Sequence, residues 1–186
     1  MKESAMNADR PTSDHPTSES AAADRETALM LAALQSQRAH VLQMVGGLTE
    51  EQARRAVLPS GWHCLGLLKH LAVSDEYYWF TCAVGGEPVD ASLFEDRGDW
   101  QVSDDQGLDD LVRFYRSSCE RSDAVLAATT LDAAPAYTDP QWQSWGMAYP
   151  DVRSVVMHVI TETAVHAGQL DAARELIDGR QWVVLD

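Results

Sequence analysis

Between Asp151 and Ile177 the chain runs without a proline and carries His158, Glu162 and His166 at four-residue steps. A proline-free run of this length predicts one long helix, because proline removes a hydrogen-bond donor and clashes with the preceding turn. At ~3.6 residues per turn, four-residue spacing stacks the three side chains on one face. Imidazole and carboxylate are donors suited to a borderline cation such as zinc. Glu and His four residues apart are, by themselves, mostly solvated surface neighbours. Here the flanking Val155, Val156, Val159 and Leu170 turn the stripe toward an interior, where a carboxylate is costly unless paired or metal-bound. His158 and His166 lie ~12 Å apart along the axis at 1.5 Å per residue, too far to share one ion easily. Glu162 and His166 are therefore the expected ligands, with His158 behind them.

A second apolar segment, from Cys64 to about Ala83, carries His70 among Leu65, Leu68, Leu71 and Ala72. If it faces the first helix, His70, Glu162 and His166 can close on one metal and leave a coordination position open. Two further helices follow from period. One runs from about Asp24 to Val45, with Leu31, Leu34, Arg38, Val41, Leu42 and Val45 inward, stopped by Gly46 and Gly47. The other runs from about Leu108 to Ala128, with Leu111, Phe114, Tyr115, Cys119 and Val125 inward and Asp104 or Asp105 at its N-terminal dipole. Thr49 and Gln52 form a capping-box pattern for a short connecting helix. Residues 87–106 and 129–150 read as long loops, and a loop as long as the first often carries function, such as lining a mouth. Four long helices with such loops predict an all-α four-helix bundle. Residues 1–23 have almost no apolar surface and predict a disordered tail, leaving 24–186 as one domain.

Net charge is −15, which disfavours nucleic acid and anionic membrane surfaces as partners. No apolar run reaches the ~18 residues of a membrane span, and no apolar core of a secretory signal stands near the N-terminus. Cys64, Cys82 and Cys119 are widely spaced and odd in number, which predicts reduced, buried thiols in a cytoplasmic protein. The chain is expected to be a monomer or a homodimer.

The stretch Glu162, His166, Ala167, Gly168, Gln169 resembles the metal motif of the DinB-like superfamily, and Pro59, Ser60, Gly61 with Leu65 to Leu71 resembles that superfamily's second-helix motif. Leu48, Thr49, Glu51 and Gln52 match the segment before it. With His158, Thr163, Ala164, Asp171, Arg174 and Glu175 added, the pattern is most similar to the branch that uses mycothiol, over residues from about 25 to 180. Val165 stands where an arginine is frequent, Gln169 where histidine is common, and His63 where Ser or Thr usually caps the second helix.

The resemblance implies a bundle with metal ligands His70, Glu162 and His166, the middle one a glutamate as in maleylpyruvate isomerases. It implies a divalent metal, zinc, and mycothiol as cosubstrate. The expected activity is a metal-dependent thiol S-transferase acting on an electrophilic small molecule. A thiol-dependent isomerase and a non-catalytic metal-binding bundle stand as alternatives. With an external thiol as nucleophile, no side-chain nucleophile is expected. His158 and Gln169 are expected to support the ligands. Trp62, Trp142, Trp145 and Arg174 are the candidate substrate contacts, Arg174 because it could hold a carboxylate, though an ion pair with Asp171 would explain it equally.

Overall fold

A computed structural model describes residues 18–182, and among these the chain is helical and loop, with no strand. The elements in order are α1 (Ser18–Val45), α2 (Glu50–Arg54), α3 (Cys64–His70), a π-helical continuation (Leu71–Val84), α4 (Leu108–Ala127), α5 (Pro140–Ser144) and α6 (Val152–Asp178). α1 packs along α6, and α4 packs along the α3–π unit, which in turn lies against α6. This is the four-helix bundle that the apolar periods require.

The helix ends follow local chemistry. Thr49 and Gln52 satisfy each other's backbone donors, as the box pattern predicts. His63 takes the place of the usual hydroxyl cap, since its Nδ1 accepts from the Gly66 amide at 3.2 Å. Asp151 caps α6 and Gly179 ends it at φ 79°, a left-handed conformation that glycine adopts freely. The start of α4 differs from expectation: the Asp110 and Glu50 carboxylates accept from the Gly107 and Leu108 amides, so neither Asp104 nor Asp105 is needed.

Other expectations also shift. α1 begins at Ser18, so residues 18–23, assigned to the tail by sequence, are helical; residues 1–17 lie outside the described residues. The helix that begins at Cys64 changes to i→i+5 bonding at Leu71, immediately after His70, a widening that is frequent at functional sites. Phe114 is 41% exposed, because the buried stripe of α4 runs through Leu111, Tyr115, Ser122 and Leu126. The loop 129–150 holds α5, where Asp139 caps and Pro140 supplies a preset first-turn φ. Near the C-terminal end of the described residues, Trp182 stacks on His40 at 4.1 Å.

The interior is split. One apolar cluster gathers Val41, Met44, Leu65, Leu68, Leu111 and Leu170. Another gathers Leu34, Trp79, Phe80, Leu126, Val155 and Val159. Between them every long helix contributes a buried polar residue: Arg38 from α1, Asp75 and Glu76 from the π segment, Ser122 from α4 and Thr163 from α6. Arg38 grips Glu76 through two bonds of 2.7 and 2.5 Å and reaches Asp123 at 2.6 Å. Burial works against the Arg38 charge, but Glu76 more than offsets it and keeps the guanidinium protonated. Removing one partner of such a pair strands the other and costs roughly 3–5 kcal/mol, so the layer fixes the register of α1 against the π segment.

Candidate functional site

His70 is the last α-helical residue of α3, and His166 lies opposite on α6. Their ring centroids are 5.1 Å apart and the planes are nearly perpendicular, at 81°. Each imidazole is held by a neighbour. His70 Nδ1 contacts Asp99 Oδ2 at 2.7 Å, and Ser74 Oγ donates to the same oxygen at 3.0 Å. His166 Nδ1 contacts Gln169 Oε1 at 2.9 Å. Both contacts place acceptors on Nδ1, fix the N–H there and leave each Nε2 with a free lone pair. Burial pushes the His70 pKa down, with Asp99 opposing, so the ring is neutral near pH 7.

Asp99 and Trp100 arrive on the loop after the π segment. Trp100 stacks on His70 at 4.2 Å and 21°. The loop can approach because Gly66 has no side chain: a Cβ there would sit 2.8 Å from the Trp100 carbonyl oxygen. Asp96 and Arg97 precede it with φ of 50° and 61°, a conformation that non-glycine residues adopt at some cost. Lys69 Nζ donates to the Gln101 carbonyl at 2.6 Å and pins the far side.

Two ring nitrogens and a carboxylate are suitable donors, and their arrangement can be compared with a shared ion. Among the described residues, no three His, Cys, Asp or Glu side chains are already gathered to hold a metal. Two imidazoles sharing one tetrahedral ion at bonds of about 2.0–2.1 Å have centroids about 5 Å apart, the separation of His70 and His166. Glu162 Oε2 lies 4.0 Å from His166 Nε2. Donors on one tetrahedral ion stand about 3.4 Å apart, and the Glu162 side chain, 43% exposed, has room to rotate.

The remaining sequence candidates scatter. His158 has Tyr149 and Trp79 as neighbours rather than the other two imidazoles: its Nδ1 meets the Tyr149 hydroxyl at 3.0 Å, and its ring packs edge-on to Trp79 at 4.5 Å. Burial lowers its pKa, with Glu162 opposing. Trp62 lines a polar cleft of about 380 Å³ with His63, Arg97 and Trp100. Trp145 is 60% exposed. Trp142, expected to meet a ligand, is buried instead; it stacks on Trp79 at 5.0 Å and donates from Nε1 to Tyr78. Arg174 is also turned away. It is buried, donates to the Met44 and Gly46 carbonyls at the end of α1, and pairs with Asp178, while Asp171 pairs with His40. Arg174 closes helix ends, which leaves no free guanidinium for a substrate.

Sequence reasoning missed Ser74, Asp75, Asp99, Trp100 and Tyr149. Asp75 is buried, and burial together with the charges of Glu76 and Glu162 drives its pKa well above the usual carboxylate range. Its Oδ2 lies 3.2 Å from Thr163 Oγ1, which itself donates to the Val159 carbonyl. A neutral Asp75 donating to Thr163 satisfies both contacts. The cysteines carry no activated thiol: burial pushes Cys64 up to about 11 and raises Cys82 and Cys119 as well.

Fold and site define a DinB-like all-α bundle with a pair of imidazoles, His70 and His166, brought together from its second and fourth long helices. The family described as Mycothiol-S-transferase matches residues 29–179, and the chain belongs to that family of thiol S-transferases. No curated protein and no solved structure matches significantly. Among the described residues no helix is long and apolar enough to cross a membrane.

Proposed function

We propose that the chain joins a low-molecular-weight thiol, mycothiol, to an electrophilic small molecule, with His70, Glu162 and His166 holding one zinc ion. The observation that carries this reading is the pairing of His70 and His166, each bonded at Nδ1 by a neighbouring side chain and free at Nε2. Such outer partners set the tautomer and ring direction of metal-binding histidines. Bound zinc supplies one thing, a preference for the ionised form of a thiol at neutral pH.

The chain's own residues do the rest. Asp99 and Gln169 orient the imidazoles, and Ser74 keeps Asp99 in place. Trp100 covers one face of His70 and limits water. The polar cleft with Trp62, His63 and Arg97 takes the body of the thiol. In the reaction the thiol gives its proton to solvent. Its sulfur bonds to the electrophilic carbon as the leaving group departs with its bonding pair. The raised thiol pKa values of Cys64, Cys82 and Cys119 support an external nucleophile.

The test is metal content after gentle purification, with about one zinc per chain expected for the wild type. His166→Ala should lower occupancy far more than His158→Ala. Equal loss from both, or no metal in the wild type, would overturn the ligand set.

A further inference from the structure

A second cleft, of about 440 Å³, shares no lining residue with the Trp62 cleft and reaches the site through Ser74. Its walls include Ser74, Tyr78, Trp79, Phe94, Asp139 and Trp145. The volume is within the range of small-molecule sites. Two of these residues connect it to the proposed ligands. Ser74 donates to the carboxylate that holds His70. Trp79 packs against His158, one turn before Glu162.

Resting on the transferase reading, we propose that this cleft binds the electrophile, and that the electrophile is a flat, apolar molecule without negative charge. Three observations carry it. Tyr78 stands edge-on to both Trp79, at 5.2 Å, and Phe94, at 5.9 Å, which gives an aromatic wall. Trp145 is exposed at the rim, and no aromatic ring among the described residues stacks on it, so its indole face is available to a planar guest. Among the lining residues none is Lys, Arg or His, whereas Asp139 is present. The Asp139 carboxylate is fixed, accepting from the Tyr78 hydroxyl at 2.9 Å and from the Gln141 amide at 2.8 Å. Its charge meets no cation in the cleft, so a carboxylate-bearing electrophile would be repelled. That is a reason to favour transfer to neutral acceptors over reactions of carboxylate-bearing substrates.

The experiment uses zinc-loaded full-length protein, mycothiol, and two alkylating agents. Monobromobimane is an uncharged fused ring, and iodoacetate is a small anion. In both cases an S–C bond forms and halide leaves with the bonding pair. The enzyme's acceleration over the uncatalysed rate should be greater for the bimane by roughly tenfold, the effect expected of a like charge held in the cleft. Trp145→Ala should raise KM for the bimane roughly 3- to 10-fold, the size of one lost aromatic contact, and raise KM for iodoacetate by a smaller factor. Asp139→Asn, which can still cap α5, should raise the iodoacetate rate. In parallel, quenching of tryptophan fluorescence measures binding of a bimane that lacks bromine.

Conjugation with neither agent would remove the transferase reading, and the binding arm would then decide for the cleft. Binding weakened by Trp145→Ala supports the assignment. Equal acceleration of the two agents, or bimane binding indifferent to Trp145→Ala, overturns it.

Discussion

Replacing Asp99 by Asn removes a charge and little else. The side chains of His70 and Asp99 are only 18% and 12% exposed, so their 2.7 Å contact is poorly screened. Asn keeps an oxygen that can accept from His70 Nδ1–H and from Ser74, and the ring should hold its direction. What is lost is the charge-assisted part of the bond, which makes such bonds about twice as strong as neutral ones. Loss of an outer partner of a metal-binding histidine typically costs about 10–100-fold in metal affinity. That corresponds to about 1.4–2.8 kcal/mol. Asp99 also opposes the effect of burial on His70, so the variant's ring should protonate at lower pH than the wild type's. The assay is zinc competition against a chromophoric chelator near pH 7, with helicity by circular dichroism as the fold control. An Asp99→Asn protein that folds normally and binds zinc as tightly as the wild type would refute the reasoning. It would mean that His70 is not a ligand, or that its orientation comes from the Trp100 stack alone.

Further outcomes follow from the interior. Asp75 has a folded-state pKa well above its unfolded value, so above about pH 4 the unfolded chain binds fewer protons there than the folded one. Its contribution to stability is therefore lost as pH rises toward the folded pKa, by up to about 1.4 kcal/mol per pH unit. Asp75→Asn, whose amide can donate to Thr163, lacks that slope, and its stability advantage in urea unfolding should grow from about pH 5 to about pH 7; a constant difference would show that Asp75 is ionised in the fold. Changing Cys64, Cys82 and Cys119 to Ala or Ser should leave most thiol-conjugating activity wherever the variant folds and keeps its metal. Loss of activity in such a variant would place the nucleophile on the protein.

Much of this architecture could be read from residue spacing, and the failures have local causes. The α6 stripe was legible because a long helix with one apolar face tolerates few registers, and Asp151 and Gly179 mark its ends. Arg38 stood among apolar inward positions, and it is indeed inward, paired with a Glu76 that no local pattern could have matched to it. Asp99 and Trp100 were hidden because a loop has no period; only the fold shows that Gly66 lets that loop reach His70. Trp142 misled because a proline-rich loop is ordinarily surface, whereas here Asp139 and Pro140 start a short helix that turns the indole inward. Arg174 misled because a lone arginine near a site can serve a substrate or a helix end, and the Met44 and Gly46 carbonyls of α1 are too distant in sequence to show which.

The central claim is that a metal held by His70, Glu162 and His166 activates an external thiol. The most direct measurement is the rate of mycothiol conjugation to monobromobimane by one preparation in three states: as purified, after removal of metal by a chelator, and after zinc is restored. The account predicts that the rate falls to the uncatalysed level on removal and returns with about one zinc per chain, while a His166→Ala protein stays at that level throughout. Full activity in the stripped protein, or restored activity in His166→Ala, would contradict it.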